Sequence, residues 1–321
     1  MKRIILLSLS VLVLLAGCTK EITVDLPEAE EQLVVEGTIE PGQPPIIILT
    51  RSQSFFAPTD INSYANIFVK DADVRMYDGS QTYVIPMFCS SQLPPEVIDS
   101  VAALTGLDPA LLSSVDVCIY TSLDPNTYGV IGRSYRLTIN AEGKTLTSTT
   151  HIPNPVPLDS LWFQLTDQND GDDTSGFIWA SAHDPDTAGN YYRVQTRRLN
   201  RDEDGNPKDP VFVAPFGSTS SDDFFNGINV QFVIIKGSSA YATDLEDAQN
   251  IHFMRDDTVE VKLISMDKRE YDFYRSFETN VSTQGDLFTT PTNVISNIDG
   301  GLGVWAGLSS DRRTVVCVPV Q

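Results

Sequence analysis

Short runs of alternating apolar and polar residues make up most of this chain. LVVEGTIE begins at Leu33 and RSYRLTIN begins at Arg133, and both alternate with the period of two that is typical of strands with one buried face. Asp78-Gly79 and Ala141-Glu142-Gly143 separate such runs and favour tight hairpin turns. Because strands joined by tight turns run antiparallel, the pattern predicts a mostly β chain with antiparallel sheets.

A helical insertion interrupts the strands of the first half. The segment 93–114 reads LPPEVIDSVAALTGLDPALLSS, and its two adjacent prolines suit the first turn of a helix. Apolar residues then recur at helical spacing, namely Val97, Ile98, Val101 and Leu104. The spacing predicts one amphipathic helix and a second short helical turn, inserted between two strands.

A further helix is expected near the end of the chain. Asp267 stands at a capping position, and Glu270 three residues later completes the sequence of a capping box. An aromatic stripe follows, formed by Tyr271, Phe273, Tyr274 and Phe277. The stripe predicts an amphipathic helix that covers one end or face of the second β unit, rather than a cofactor site.

The proline-rich segment 152–160, IPNPVPLDS, divides the chain into two strand-rich parts. Each part has the usual size of a domain. We expect a β-sandwich of the immunoglobulin-like or transthyretin-like kind over 32–153, carrying the helical insertion at 93–114. A second β-sandwich is expected over 154–321.

Residues 1–18 contain the three regions of an export signal. Lys2 and Arg3 precede Ile4–Leu15, an apolar run that is too short to span a bilayer, which needs about 20 residues. Leu15-Ala16-Gly17-Cys18 then resembles the lipobox of bacterial lipoproteins. The resemblance implies that residues 1–17 are removed and that Cys18 carries acyl chains. An ordinary signal peptide with a chance cysteine is the alternative.

Acyl chains on Cys18 would decide where the protein works. Each buried methylene adds about 0.8 kcal/mol of membrane affinity, so several chains together hold a protein firmly. Residues 18–31 are rich in acidic side chains and are interpreted as a tether between the lipid and the first strand. We expect the body to be held on the outer membrane, facing either the periplasm or the cell surface.

The formal net charge of −21 narrows the range of partners. A field of this sign repels nucleic acid, so no nucleic-acid partner is expected. Hydrophobic residues at 41% and aromatic residues at 9% suffice for packed cores. The acidity therefore indicates a solvated surface rather than a disordered chain.

Three cysteines follow Cys18 in the sequence. Cys89 and Cys118 flank the helical insertion at the ends of strand-like runs, and an oxidising compartment favours a disulfide between them. Cys317 lies in the strand-like TVVCVPV and is expected to be a buried, unpaired thiol.

The sequence matches metal-binding motifs only in part. Asn200, Asp202 and Asp204 match the first ligand positions of a calcium loop, but Val211 stands where the closing glutamate belongs. A hairpin tip is therefore the favoured interpretation. A second acidic loop, Asp167 to Asp173, is equally unspecific, and the three histidines are isolated. We expect no metal site and no cofactor.

Two motifs of hydrolytic enzymes are missing from the sequence, which contains no GxSxG elbow and no HExxH. No catalytic residue is assigned. A site assembled from dispersed loop carboxylates, such as those near Asp170 and Asp204, stays open as an alternative.

Several longer phrases resemble one family. They include CTKEITVDLP, DPDTAGNYYRV, REYDFYRSFETN and NIDGGLGVWAG, and they are similar to a Bacteroidota outer-membrane lipoprotein family known as domain of unknown function 4249. Members are typically encoded near TonB-dependent outer-membrane receptors, which implies an accessory role in nutrient capture. The resemblance implies no catalytic residues, because none is established for the family.

Together these features predict a non-enzymatic, lipid-anchored cell-envelope protein that binds an unknown ligand or partner beside a TonB-dependent transporter. An extracytoplasmic hydrolase is the first alternative. A surface adhesion or structural module is the second.

Overall fold

The computed structural model describes residues 30–53, 66–105, 107, 109–166, 174–238, 250–283 and 293–319. Cys18, the segments 1–17 and 18–29, and the acidic loop 167–173 lie outside the described residues.

The described strands are short and follow the predicted alternation. In the first half they are β1 (Leu33–Ile39), β2 (Ile46–Arg51), β3 (Asp73–Tyr77), β4 (Thr82–Val84), β5 (Met87–Cys89), β6 (Cys118–Tyr120), β7 (Ser134–Ala141) and β8 (Lys144–His151). In the second half they are β9 (Leu158–Leu165), β10 (Ser175–His183), β11 (Tyr191–Arg198), β12 (Thr219–Ser221), β13 (Asn229–Ile234), β14 (Phe253–Met254), β15 (Thr258–Met266), β16 (Leu302–Gly307) and β17 (Ser309–Val316). The mostly β fold with antiparallel sheets is confirmed.

Two sheets form the first sandwich. One has the order β16-β1-β2-β6-β5 and the other the order β4-β3-β7-β8. Their inward side chains share one core, with Val35 from the first sheet and Leu137 from the second, each 1% exposed. Alternation makes this packing possible, since every second residue of β7 is buried.

Two further sheets form the second sandwich. One joins β13, β10 and β14, with β9 also paired to β10, and the other has the order β12-β11-β15-β17. Phe163 and Ile178 from the first sheet meet Val259 and Val261 from the second in a single core. Cys317 lies in that core with no exposed surface, as the sequence predicted for this thiol.

The helical insertion is confirmed. It consists of α1 (Ile98–Thr105) and α2 (Pro109–Ser114), preceded by two single 3-10 turns, Ser90–Gln92 and Pro95–Val97. Ala102 and Leu112 are buried against Ile48 and Ile119, which lie on the outer face of the first sheet. The insertion therefore covers an apolar sheet face that would otherwise meet water.

The disulfide between Cys89 and Cys118 is also confirmed. The two residues lie directly opposite each other on the paired strands β5 and β6. The bond thus closes the base of the insertion, where the chain leaves the sheet and returns to it.

The aromatic helix α3 (Lys268–Thr283) packs on the second sandwich as expected. Tyr271 lies in one apolar cluster with the outward side chains Ile264 and Met266 of β15 and with Val304 and Ala306 of β16. The expected capping box is not the role of Glu270, because its Oε1 accepts a hydrogen bond from the Thr150 hydroxyl at 2.8 Å. Burial against the sheet has drawn this side chain inward.

A strand from the end of the chain completes the first sheet. β16 runs parallel to β1, from the pair Val34 and Leu302 to the pair Ile39 and Gly307. Gly303 has φ +107°, and a Cβ there would lie 1.9 Å from the Val35 carbonyl oxygen. Only glycine permits this approach. The domain boundary after residue 153 stays a prediction, while β16, from the predicted second part, is found in the first sheet.

Trp305 of β16 fills the centre of the first core and has no exposed surface. Its indole Nε1 donates to the Tyr135 carbonyl oxygen at 3.0 Å. The Asn297 side chain brackets the Trp305 backbone, accepting from its N–H at 2.8 Å and donating to its carbonyl at 2.9 Å. The phrase NIDGGLGVWAG therefore holds this tryptophan in place.

No helix in the described part of the chain is long and apolar enough to cross a membrane.

Candidate ligand-binding cavity

A cavity of about 450 Å³ opens in the second sandwich, between its two sheets. β10 and β13 supply one wall through Ala182, Val230 and Phe232. β11 and β15 supply the other through Val194 and Leu263. Ala182, Val194 and Val230 are small or branched side chains, and a larger side chain at these positions would close part of the space between the sheets.

The mouth of the cavity is formed by the segment before β12 and by β13. Pro215, Phe216 and Gly217 line it, and the Phe216 side chain is 71% exposed. Gly217 has φ +70°, which turns the backbone at this point. An aromatic ring held in water at the edge of an apolar cavity is a surface suited to contact with a ligand.

One polar pair lies in the cavity wall. The Tyr192 hydroxyl donates a hydrogen bond to Asp184 Oδ1. Asp184 Oδ2 accepts from the Gly227 backbone N–H at 3.0 Å, and the two side chains are almost fully buried. Burial, followed by the hydrogen bond to Asp184, raises the pKa of the Tyr192 phenol far above its ordinary value. Tyr192 therefore stays a neutral donor at every physiological pH.

The loop between Asp184 and Tyr192 is held by a second buried carboxylate. Asp222 accepts from the Gly189 N–H at 2.9 Å and from the Asn190 N–H at 3.0 Å. A carboxylate bound by several backbone donors is fixed in position. The phrase DPDTAGNYYRV thus begins and ends at the cavity, since its first residue is Asp184 and Tyr192 lies near its end.

The cavity lining contains few ionisable groups. Among the described residues that line it, Asp184 and Tyr192 are the only ionisable ones, and each already has a hydrogen-bond partner. No lysine or arginine is found in that lining. The arrangement suits a mostly apolar, uncharged molecule. One lining hydroxyl, that of Ser218, donates a hydrogen bond to Glu278 Oε1, and Arg193 Nε lies 3.5 Å from the same oxygen.

Sequence reasoning did not assign this cavity. Asp184 and Tyr192 both lie in DPDTAGNYYRV, yet nothing in the pattern of this segment indicates that their side chains pair. The sequence signal for this pair is an aspartate directly after one strand, Asp184, and a tyrosine at an inward position of the next strand, Tyr192. The cavity volume depends on the distance between the two sheets, and no local sequence pattern indicates that distance.

The calcium candidates lie elsewhere, in a hairpin tip. Asn200 Oδ1 accepts from the Thr258 N–H at 2.6 Å, and the Asp202 carboxylate accepts from the Asn206 N–H at 2.7 Å. Gly205, at φ +86°, closes the turn. The predicted hairpin tip is confirmed, and Asp204 is an exposed residue of it. No described residue of this tip lines the cavity.

One group of potential metal ligands comes together in the described residues, formed by Cys89, Asp116 and Cys118. Its two sulfur atoms are joined in the disulfide. Because metal coordination by cysteine needs a thiolate, this group is a covalent link and not a metal site.

A family model covers nearly the whole chain, matching residues 19–314. It is the model of a domain of unknown function, DUF4249. The chain belongs to this family. No curated protein matches the chain.

Within DUF4249, three of the four phrases that resemble the family lie among the described residues, while CTKEITVDLP, residues 18–27, lies outside them. DPDTAGNYYRV borders the cavity, REYDFYRSFETN forms most of α3, and NIDGGLGVWAG leads into β16. Two of the three therefore build the junction where α3 covers β15 and β16, and one builds the cavity.

Proposed function

We propose that this DUF4249 protein is a cell-envelope binding protein, anchored by acyl chains on Cys18, that takes up a small apolar molecule in the cavity of its second sandwich. In this role it works beside a TonB-dependent outer-membrane transporter. The function is binding and delivery, with no chemical conversion of the ligand.

The cavity carries the proposal. Ligand sites usually have volumes of about 300–1,000 Å³, apolar walls and a few fixed polar groups. This cavity has about 450 Å³ and a mostly apolar lining, with Asp184 and Tyr192 as its fixed polar pair. The anchor and the transporter are supported by the lipobox-like sequence and by the family resemblance alone.

Binding is tested on the chain from Cys18 onward, produced with Cys18→Ser so that it carries no lipid. A neutral fluorescent probe, N-phenyl-1-naphthylamine, is titrated in the absence of detergent. Val194→Phe places a ring in the cavity and should weaken binding at least about tenfold, which corresponds to about 1.4 kcal/mol. Val84→Phe is the matched control, since Val84 is 63% exposed on β4 of the first sandwich and does not line the cavity.

The proposal predicts one saturable site in the parent chain and in Val84→Phe. It fails if the parent chain shows no saturable binding, or if Val194→Phe binds the probe as tightly as the parent.

The anchor and the partner are tested in the native host. Mass spectrometry of the N-terminal peptide should find a diacylglyceryl group on Cys18 and an acylated amino group. Purification of the tagged, lipidated chain should recover a TonB-dependent receptor in a constant ratio, and Cys18→Ser should abolish this recovery. An unmodified Cys18 would remove the basis for the proposed location, and a lipidated chain without the receptor would remove the transporter.

A further inference from the structure

β13 is an edge strand of the second sandwich and lies along its cavity. It pairs with β10 on one side, and its other side faces no strand in the described part of the chain. Val230, Phe232 and Ile234 point inward and line the cavity, while the residues that alternate with them are exposed. The edge of a sheet is a surface on which a further strand can pair.

The register of β13 on β10 decides which backbone groups of β13 are already paired. The Asp184 N–H donates to the Ile228 carbonyl oxygen at 3.0 Å, directly beyond the end of the ladder. In an antiparallel ladder, hydrogen-bonded pairs recur at every second residue. The residues of β13 that are bonded to β10 are therefore Val230, Phe232 and Ile234.

The other backbone groups of β13 face away from its sheet. They are the N–H and C=O groups of Asn229, Gln231 and Val233, and none of these groups has a backbone partner within the described ranges. A strand of six residues is about 20 Å long. β13 therefore offers a continuous row of unused donors and acceptors beside an apolar cavity.

The sequence of β13, NVQFVI, lacks the features that protect edge strands from pairing. Natural edges are protected by charged side chains, by proline, by a bulge or by shortness. β17 carries Asp311, Arg312 and Arg313, and β12 has only three residues. β13 has no charged residue and no proline, and its ladder with β10 has no bulge. This edge is therefore open to a partner strand.

The opposite side of the same sandwich is closed. Phe163 of β9 forms a bridge with the segment after β17, and the Leu158 N–H donates to Asp311 Oδ2 at 2.8 Å. On the side of β13, Phe225 and Phe232 pack against the core but are only partly buried, and both line the cavity. The core is therefore less complete on the side where the free edge lies.

The charges near the start of β13 are acidic. Asp186 is exposed, and its Oδ1 lies close to Gly227, where an added Cβ would be 2.9 Å away. Asp223, in the turn between β12 and β13, is also exposed. A partner segment with a lysine or an arginine at this end would meet charges of opposite sign.

We propose that β13 accepts an extended segment of a partner protein as an added antiparallel strand. Apolar side chains at alternate positions of the segment enter the cavity, and polar ones stay in water. Because antiparallel strands run in opposite directions, the C-terminal end of the segment lies beside the start of β13, where a basic residue faces Asp186 and Asp223. Main-chain hydrogen bonds then give affinity, and the cavity gives specificity for the side chains.

The added strand uses the same cavity as the small molecule of the proposed function, so the two exclude each other. A partner strand thus expels the small molecule, as its delivery requires. This consequence rests on the proposed function, whereas the pairing with β13 does not.

The test uses a synthetic peptide, TVTLTVTK, which carries fluorescein at its N-terminus and an amide at its C-terminus. Its binding to the Cys18→Ser chain is measured by fluorescence anisotropy, without detergent. The control peptide TTVVLTTK has the same composition without the alternation. We expect saturable binding of the first peptide, and binding of the control at least about tenfold weaker.

The register predicts which amides of the peptide are needed. Residues directly opposite Asn229, Gln231 and Val233 share their outer face, so the threonines of the peptide, whose side chains stay in water, form the hydrogen bonds with β13. N-methylation of the internal threonine amides should therefore abolish binding. N-methylation of the valine and leucine amides should leave it intact.

A variant of β13 tests the same edge from the side of the protein. Gln231→Pro removes one outward N–H without removing a bond to β10, and proline is tolerated at such positions of edge strands. It should weaken peptide binding at least about tenfold, whereas Gln231→Ala should bind the peptide like the parent. N-phenyl-1-naphthylamine should still bind to Gln231→Pro, because the cavity is unchanged. If Gln231→Pro does not fold, the two N-methylated peptides decide the test.

Three results would overturn the proposal: TVTLTVTK does not bind, the two N-methylated peptides bind alike, or folded Gln231→Pro binds the peptide like the parent. A parent that self-associates through an edge that Gln231→Pro blocks, and that binds no peptide, would assign β13 to a second copy of the chain instead. In the parent, the peptide should also displace the naphthylamine probe. Peptide binding without probe binding would remove the small molecule alone, and probe binding without peptide binding would remove the partner strand alone.

Discussion

Glu270 of α3 and Thr150 of β8 join the aromatic helix to the first sandwich through a hydrogen bond of 2.8 Å from the threonine hydroxyl to Oε1. The Asn297 amide also donates to this oxygen, at 3.3 Å. The Glu270 side chain is 1% exposed, and its Oε2 has no partner in the described part of the chain. Burial raises the pKa of this carboxyl to about 7.

The raised pKa of Glu270 predicts a pH-dependent stability. Between its ordinary value of 4.5 and its folded value of about 7, the folded protein holds a proton that the unfolded chain has released. The free energy of unfolding therefore falls as pH rises through this window, by up to about 3 kcal/mol. Urea unfolding at pH 5 and pH 8 measures this loss.

Glu270→Gln should remove that loss, because the amide keeps the hydrogen bond to Thr150 without a charge. The variant should exceed the parent in stability at pH 8 and match it more closely at pH 5. Glu203→Gln, at an exposed position, is the control and should leave the parental slope unchanged. An unaltered pH slope in Glu270→Gln would show that another group is responsible.

Gly303→Ala should disrupt the pairing of β16 with β1. The new methyl group would meet the Val35 carbonyl oxygen at 1.9 Å, and φ is +107°. Gly42→Ala is a matched control, since φ there is +70° and the space around it is open. Chemical unfolding should show a loss of about 1 kcal/mol for Gly42→Ala, from backbone strain alone. We expect Gly303→Ala to lower the free energy of unfolding by more than about 4 kcal/mol. Equal losses in the two variants would contradict the close approach of Gly303 to the Val35 carbonyl oxygen.

Asp184 and Tyr192 should be energetically coupled. Tyr192→Phe removes the donor and Asp184→Ala removes the acceptor, so the second change should cost less once the first has been made. A double-mutant cycle on the free energy of unfolding should give a coupling of about 1–2 kcal/mol. Tyr77→Phe, at an exposed tyrosine, should have little effect. Simple additivity of the two changes would mean that this hydrogen bond contributes nothing.

Removal of the disulfide should destabilise the protein by about 3–4 kcal/mol, because the bond closes a loop of 29 residues in the unfolded chain. The variant with both Cys89→Ser and Cys118→Ser measures this loss. Reducing agent should lower the melting temperature of the parent and leave the double variant unchanged. A parent that melts identically with and without reductant would contradict the assignment.

The Cys317 thiol should be inert in the folded protein. It has no exposed surface, and burial raises its pKa to about 12. An uncharged maleimide should label it only at the rate of global unfolding. Labelling in water that is as fast as in denaturant would show that the core is open at this point.

Local patterns were sufficient for much of the fold. Alternation identified β1 and β7, helical spacing identified α1 and α3, and the positions of Cys89 and Cys118 identified the disulfide. Each of these features depends on residues that are neighbours in sequence, or on a single pair with a known chemical preference.

Long-range relationships were not predictable from the same patterns. The parallel pairing of β16 with β1 depends on which strand edges remain free, and the inward turn of Glu270 depends on Thr150 from a distant strand. The cavity of the second sandwich depends on the distance between the two sheets, which many side chains set together.

The parallel sheet partner of β1 is β16, which is synthesised long after β1. Until Leu302–Gly307 emerges, one edge of the first sheet has no neighbour and the space for Trp305 is empty. An N-terminal half produced alone would therefore have an unpaired, aggregation-prone strand edge and an unfilled core. The first sandwich is completed only when β16 has been made, so we expect a product that terminates before β16 to be degraded by proteases.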